Sequence, residues 1–170
     1  MRFNIEECKT MHINSESIGH DYSMREHQLD VVTTEKNLGI LISSNLEMAE
    51  HCYEACCKTN RMLGLLKRTV KYMNPDMMVR LYKNLVRPHL EYSSPAWSPH
   101  YRKDKLLLER VKHCSTLFFD DLKPLEYFEK LVKLKLWSLE EKRNQCNLIE
   151  MFKMIRGISA VLSDIFQVSR

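Results

Sequence analysis

Four cysteines and two histidines are the side chains best suited by type to hold a metal ion. They are Cys52, Cys56, Cys57 and Cys114, together with His51 and His113. Zinc sites usually take thiolates from Cys-x-x-Cys pairs, in which two residues separate the cysteines, and no such pair occurs in the sequence. Cys52 and Cys56 are one helical turn apart within an apolar stripe. We therefore expect buried, reduced thiols and no metal site.

The sequence offers no other recognisable set of catalytic residues. It has no Gly-x-Ser-x-Gly nucleophile turn and no His-Glu-x-x-His metalloprotease motif. Glycine-rich phosphate-binding loops are also missing, and the chain contains only 4 Gly. We predict no catalytic residue, no cofactor and no small-molecule substrate, while a triad of scattered residues stays open at this level.

A stripe of basic residues runs along the segment that begins at Asn74. Arg80, Lys83 and Arg87 recur at three- and four-residue steps, which places them on one face of a helix. Lys67 and Arg68 precede them. Residues 58–112 carry 13 Lys and Arg against 4 Asp and Glu, a net charge of +9, while residues 1–57 carry −6 and residues 113–170 carry +1. This block is typical of a polyanion partner, although solvated helices would give the same count.

The same segment has the signals of an amphipathic helix. Asn74 can cap it and Pro75 suits its first position. Apolar residues follow at helical steps, namely Met78, Leu81, Tyr82 and Leu85. Pro88 removes a backbone donor, so we expect the helix to kink or stop there.

Periodicity predicts an α+β fold that is mainly α, with a small N-terminal β hairpin region followed by about five helices. Strands are expected at 8–13, 29–34 and 38–43, with a turn at 14–17. Gly39 inside the last strand indicates a bulge or the close approach of another backbone. Further helices are expected over 46–73, 103–119 and 124–134. The 46–73 helix has a seam of small and apolar residues, which are Ala49, Cys52, Cys56, Thr59, Leu63, Leu66 and Val70.

The last predicted helix begins at a capping box, Ser138-Leu-Glu-Glu141, and ends at Gly157. Its apolar stripe consists of Leu148, Ile149, Phe152 and Ile155, and that of the 103–119 helix of Leu107, Val111, Cys114 and Phe118. Trp97, between two prolines, is interpreted as a packing anchor, with base stacking as the alternative. No apolar run is long enough to span a membrane and no signal-peptide core is present, so we expect a nuclear or cytoplasmic protein.

The segment after Asn74 also resembles a known family. The string Leu-Tyr-Lys-Asn-Leu-Val-Arg-Pro-His-Leu-Glu-Tyr at 81–92, followed by Pro-Ala-Trp-Ser-Pro at 95–99, is similar to the region just after the palm in reverse transcriptases of non-LTR retrotransposons, the jockey-like LINE-type elements above all. Strings at 60–69, 108–111, 131–140 and 149–157 resemble successive family segments in the same order. The resemblance covers about residues 2–157.

The resemblance implies a division of the chain. Residues 1–45 look like the palm exit and primer grip, with Leu38 and Gly39 in the primer-grip-like segment, residues 46–157 look like the thumb, and 158–170 form a tail. The segment that resembles motif D of the family departs from it at one position. Glu7 stands where the family usually has a lysine near the incoming nucleotide, and a carboxylate there would repel the triphosphate.

Two adjacent aspartates complete the comparison with the family. Reverse transcriptases hold two magnesium ions with a Tyr/Phe-x-Asp-Asp turn and a third, earlier aspartate. This chain has Phe-Phe-Asp-Asp at 118–121, but after the thumb-like segments rather than before them, and no earlier segment supplies the third aspartate with its usual neighbours. We interpret Asp120 and Asp121 as helix-ending residues before a turn.

These observations lead to one expected function and one alternative. The chain resembles a C-terminal fragment of an RNA-directed DNA polymerase that lacks the catalytic palm, so we expect it to be inactive alone. Its basic residues would hold an RNA–DNA or DNA duplex through the phosphates. They are Lys67, Arg68, Arg80, Lys83 and Arg87. The alternative is a helical protein-interaction module, or a decayed transposon remnant without retained activity.

Overall fold

The computed structural model describes residues 4–13, 20–70, 74–117, 119 and 122–158. Within them the fold is α+β and mainly α, as the sequence predicts. Short strands come first, and longer helices follow. The chain divides into two compact units, residues 1–51 and 52–170. The division falls inside helix α1 (Ala49–Thr69), whose first three residues belong to the first unit.

In its described part, the first unit contains three pairs of short strands. They are β1 (Lys9–Thr10) with β4 (Asp30–Val31) in parallel, and the antiparallel pairs β2 (Ser23–Met24) with β3 (His27–Gln28) and β5 (Thr34–Asn37) with β6 (Ile40–Ser43). A 3₁₀ turn, Ile5–Glu7, precedes them. The strands predicted at 8–13, 29–34 and 38–43 are present but shorter. The turn predicted at 14–17 lies outside the described residues.

Leu38 and Gly39 form the two-residue turn between β5 and β6. Asn37 pairs with Ile40, and the backbone φ angles of Leu38 and Gly39 are 48° and 85°. Two central residues at positive φ match the twist of the flanking strands, which is why such turns favour glycine. The prediction of Gly39 as a bulge inside a strand is therefore wrong, since the strand begins one residue later. The Leu38 side chain is 82% exposed.

Polar contacts within the first unit fix the β5–β6 hairpin. Lys9 Nζ forms a salt bridge of 2.8 Å with Glu35 Oε2, which connects β1 to β5. The backbone N–H of Leu41 donates to His51 Nδ1 at 3.2 Å. His51 was one of the side chains suited to hold a metal, and its Nδ1 instead accepts a hydrogen bond from the hairpin.

Helix α1 buries the seam that the sequence predicts. The members of this seam that are buried are Cys52, Cys56, Thr59, Leu63 and Leu66. The Thr59 hydroxyl donates to the carbonyl of Ala55 at 2.7 Å, so this polar group is satisfied inside the core. Helix α1 ends at Thr69, and residues 71–73 of the predicted 46–73 helix lie outside the described residues.

The helix that begins after Asn74 does not stop at Pro88. It runs through α2 (Pro75–Leu81), a π-helical turn (Tyr82–Val86) and α3 (Arg87–Glu91). The N–H of Arg87 donates to the carbonyl of Tyr82, five residues earlier. Proline in a regular helix would clash with the carbonyl of the residue four positions before it, here Asn84. The wider π turn accommodates Pro88, so of the two predicted outcomes, a kink or a stop, the stop is wrong.

The π turn also decides which side chains of this helix are buried. Met78, Tyr82, Val86 and Leu90 are all buried, although residues four apart drift by about 40° per step around a regular α-helix. The wider turn offsets that drift and keeps the four side chains on one side. Leu85, which regular periodicity placed on the apolar stripe, is 40% exposed.

Three further helices complete the second unit within its described residues. They are α4 (Arg102–Thr116), α5 (Tyr127–Lys133) and α6 (Leu139–Ile155). A core cluster packs Met78 of α2 against residues that follow α4 and α5, namely Phe119, Leu122 and Leu134. Two apolar stripes noted in the sequence are exposed in part or in full. Cys114 is exposed, and α6 exposes its stripe, which is Leu148, Ile149, Phe152 and Ile155. Among the described residues, no helix has the length and apolar character needed to cross a bilayer.

Helix caps in the second unit follow the sequence signals. Asn74 accepts a hydrogen bond from the N–H of Asp76 at 3.0 Å, and Ser138 and Glu141 form both bonds of a capping box. Gly157, at φ 66°, ends α6 in a Schellman motif. The same pair of backbone bonds ends α5, but there Lys135 occupies the left-handed position at φ 52°.

Trp97 is a packing anchor, as predicted. Its ring is 1% exposed, so it cannot stack on a base, and its Nε1–H donates to the carbonyl of Tyr92. The guanidinium of Arg143 lies over the ring at 4.2 Å and donates through Nη2 to the carbonyl of Leu90 at 2.9 Å. Arg143 thereby connects α6 to α3 and to the loop that carries Trp97.

Candidate nucleic-acid interface

The five basic residues predicted to bind phosphates lie on two adjacent helices of the second unit. Lys67 and Arg68 are exposed near the end of α1, and Arg80 is exposed on α2. The two helices are in contact, because Leu63 and Leu66 of α1 line the same small internal space as Met78 of α2. Arg68 Nε donates to the carbonyl of Gly64 at 3.2 Å.

Lys83 and Arg87 meet other cations in one cleft, which we call the basic cleft. It has a volume of about 200 Å³. Its charged side chains come from α4, from the segment after α5 and from α6 as well as from the π turn and α3. They are Lys83, Arg87, Lys112, Lys135 and Lys142, with Glu91 as the carboxylate. Lys67, Arg68 and Arg80 are not among the residues that line it.

The cations of the basic cleft exceed the partners available to them. Arg87 Nε pairs with Glu91 Oε2 at 3.2 Å, and Lys142 Nζ donates to Gln145 Oε1 at 2.8 Å. Within the described residues, the side-chain ammonium groups of Lys83 and Lys135 have no hydrogen-bond or ion-pair partner. The cleft therefore carries an excess of positive charge that is available to an anion.

Lys112 is the buried cation of the basic cleft. It is 2% exposed, and its Nζ donates to the carbonyl of Trp137. Burial lowers its pKa, while the carboxylates of Glu109 and Glu91 act in the opposite direction. The net effect is a lowered pKa for Lys112, whose amine is held by the carbonyl of Trp137.

Two aromatic residues also line the basic cleft. Tyr82 is buried, and within the described part of the chain its hydroxyl has no hydrogen-bond partner. Burial raises the pKa of Tyr82, and the carboxylate of Glu91 raises it further. Trp137, in contrast, is 56% exposed. The cleft is thus lined by one buried and one exposed aromatic residue.

Sequence reasoning found two of the five cleft cations. Lys83 and Arg87 share a helix face and could be grouped by spacing. Lys112, Lys135 and Lys142 come from three other segments, and nothing in their local sequence connects them to the stripe. The unusual placement of Lys135 after a helix end was the signal that could have drawn attention to it, because glycine is the usual residue there.

The remaining predicted site residues lie elsewhere. Leu38 and Gly39 form the β5–β6 turn of the first unit. Cys52 and Cys56 are buried as predicted, whereas Cys114 is exposed and Cys57 is half-buried. In the parts of the chain that the structure describes, no three His, Cys, Asp or Glu side chains are grouped closely enough to hold a metal. Asp120 and Asp121 lie outside those parts.

Anion binding is the chemistry that this arrangement supports best. Ammonium and guanidinium groups from four segments converge on one small polar space, and charge-assisted hydrogen bonds to phosphate oxygens are strong. A second, exposed group of cations lies on α1 and α2. This reading rests on the chain's own chemistry, because no protein-family model, curated protein or solved structure matches it.

Proposed function

We propose that the helical second unit is a non-catalytic nucleic-acid-binding module that holds an RNA–DNA or DNA duplex through its phosphates. The observation that carries this proposal is the basic cleft, where Lys83 and Arg87 meet three further lysines and a single carboxylate. Arg80 lies on the same helix, one turn earlier. The resemblance to the C-terminal part of a non-LTR reverse transcriptase supports the same function.

The expected mode of binding follows from the residue types. Lysine and arginine side chains on helix surfaces neutralise phosphates and release counterions, which makes affinity fall steeply with salt. Such contacts position a duplex without reading its sequence. The module should therefore bind different duplex sequences with similar affinity.

The test is an anisotropy titration of a labelled RNA–DNA hybrid with the full chain across a salt series. Arg80→Ala/Lys83→Ala/Arg87→Ala should weaken binding and lower the salt slope by about one unit for each lost phosphate contact. Circular dichroism must show that the variant keeps its helices, since these side chains also pack through their aliphatic stems.

A matched control removes the same number of charges from other helices. Lys133→Ala/Lys153→Ala/Arg156→Ala alters α5 and the end of α6, outside the basic cleft and the stripe. This variant should keep the parental affinity apart from a small general charge effect. Equal losses in both triple variants, or no loss in either, would reject the proposal.

One observation favours a second candidate function, a protein-interaction module. The stripe of α6, formed by Leu148, Ile149, Phe152 and Ile155, is exposed, and exposed apolar patches on proteins often mark contact surfaces. If this face is the functional surface, Leu148→Glu/Phe152→Glu should abolish association of the chain with a partner or with itself and leave hybrid binding unchanged. Sedimentation of the parent and variant chains would measure the self-association.

A further inference from the structure

The size of the basic cleft limits what can enter it. Pockets for whole organic ligands usually have volumes of about 300–1,000 Å³. The basic cleft, at about 200 Å³, is smaller than that range and has room for a phosphate group rather than for a complete nucleotide. The phosphate of a larger molecule would enter, and the remainder of that molecule would lie outside.

The charge of the basic cleft favours a doubly charged phosphate. Five basic side chains and one carboxylate line the cleft, and that carboxylate, Glu91, is already paired with Arg87. Glu109 and Glu141 act on Lys112 from outside the lining. Lys83 and Lys135 have no partner in the described residues and are available to phosphate oxygens. A phosphodiester within a strand carries one negative charge, whereas a terminal phosphomonoester carries nearly two at neutral pH. The second charge would use the cations that remain unpaired.

The rim of the basic cleft offers a place for a base. Trp137 lines the cleft and exposes more than half of its side chain, while its carbonyl is held by Lys112. Exposed indole rings beside basic grooves stack well on nucleic-acid bases, without preference for one base. An acidic or phosphorylated peptide would make no comparable use of this ring.

We infer that the basic cleft binds a single phosphomonoester group that belongs to a nucleotide, with the adjoining base on Trp137. The group can come from the phosphorylated end of a nucleic-acid strand or from a free nucleoside monophosphate. The inference rests on the proposed function, because Lys83 and Arg87 contribute both to duplex binding and to binding of this phosphate. It adds a preference for strand ends that a phosphate-tracking helix face alone would not have.

The experiment compares one short labelled DNA strand in three forms, with a 5′-phosphate, with a 3′-phosphate or with hydroxyls at both ends. The full chain should bind one of the phosphorylated forms roughly tenfold more tightly than the hydroxyl form, as expected for a charge-assisted contact. Lys135→Ala/Lys142→Ala should abolish that ratio. Lys67→Ala/Arg80→Ala, outside the cleft, should weaken all three forms equally and keep the ratio.

Free phosphates separate the two sources of the group. Adenosine monophosphate and inorganic phosphate should both displace the phosphorylated end, and Trp137→Ala should weaken the nucleotide and the phosphorylated strand but not inorganic phosphate. If adenosine monophosphate displaces the labelled strand at the same concentration as the unlabelled phosphorylated strand does, the ligand is a free nucleotide.

Failure of this inference differs from failure of the proposed function. If the three strand forms bind with equal affinity, the inference is wrong and the proposed function stands. If neither these strands nor the RNA–DNA hybrid binds, the proposed function is wrong. Calorimetry with adenosine monophosphate then tests the inference. Binding that Lys135→Ala/Lys142→Ala abolishes would support it, and no binding, or binding that this variant leaves unchanged, would reject it. A phosphorylated peptide that displaces the strand more effectively than the nucleotide does would also overturn it.

Discussion

Lys135 occupies a backbone position that suits glycine. It ends α5 with φ at 52°, and a left-handed conformation costs a residue with a side chain about 1–2 kcal/mol. We expect Lys135→Gly to raise the free energy of unfolding by about 1 kcal/mol, measured by urea denaturation. The same substitution removes a cation from the basic cleft, so stability and phosphate binding should change in opposite directions.

Gly157 provides the matched control for Lys135. It ends α6 in the same way at φ 66°, and an added Cβ would meet nothing within 4 Å. Gly157→Ala should therefore lower stability by about 1 kcal/mol for backbone reasons alone. A Lys135→Gly chain that is less stable than the parent would show that the lysine makes compensating contacts in the folded state.

Buried cysteines should differ sharply from the exposed one in reactivity. Burial raises the pKa of Cys52 from 9.0 to about 11 and that of Cys56 to about 12, so both remain protonated at pH 8. Iodoacetamide should label Cys114 first in the native chain, and mass spectrometry of the peptides would show the order. Rapid native labelling of Cys52 would contradict the buried seam of α1.

The same shifts predict how stability depends on alkaline pH. A thiol whose pKa is higher in the folded chain favours folding while it is protonated, and this contribution is fully present below pH 9. It declines as pH rises from 9 through 11 and 12, because only the unfolded chain releases its protons easily. Cys52→Ala/Cys56→Ala should flatten that part of the stability curve.

At the scale of single elements, the capping box of α6 is a clear target. Ser138 Oγ accepts from the N–H of Glu141 at 3.2 Å, and Glu141 Oε2 accepts from the N–H of Ser138 at 2.9 Å. Ser138→Ala should cost about 1 kcal/mol of unfolding free energy. Thr69→Ala, at the exposed end of α1, is a suitable control because no cap depends on its hydroxyl. Equal effects of the two substitutions would contradict the cap.

The helices and their caps could be predicted because their signals are local. Asn74, Ser138 and Gly157 act within one turn of chain, so residue type and spacing were sufficient. The π turn could not be predicted in the same way. It depends on how Tyr82, Val86 and Leu90 fit against α1, α4 and α6, and the pattern near Pro88 was equally consistent with a helix end. The prediction of Gly39 as a bulge inside a strand failed for a related reason, because pairing between β5 and β6 sets the register of the turn.

The basic cleft shows the limit of prediction from sequence for a site. Two of its cations share a helix face and were grouped from spacing alone. The other three meet them only because α4, α5 and α6 pack around the helix that carries the π turn. Tertiary packing, rather than any local pattern, brings Lys112, Lys135 and Lys142 together.

For the whole molecule, we expect no primer extension with magnesium or manganese. Polymerases hold two metal ions with carboxylates from separated strands, and no earlier segment of the sequence has the pattern of the third metal-holding aspartate. A primer–template assay with the purified chain checks this expectation. Incorporation that disappears in Asp120→Ala/Asp121→Ala would show that these aspartates are catalytic.

The two tryptophans of this chain give it two separate optical signals. Trp97 is enclosed beneath the guanidinium of Arg143, whereas Trp137 faces water at the rim of the basic cleft. Indole emission shifts to longer wavelength in water, so the two rings emit at different positions in the spectrum. Unfolding should red-shift the Trp97 emission, while an occupant of the cleft should change only the Trp137 emission. Trp97→Phe and Trp137→Phe would each leave one signal. Ligand binding could then be followed in the first variant and folding in the second, under the same solution conditions.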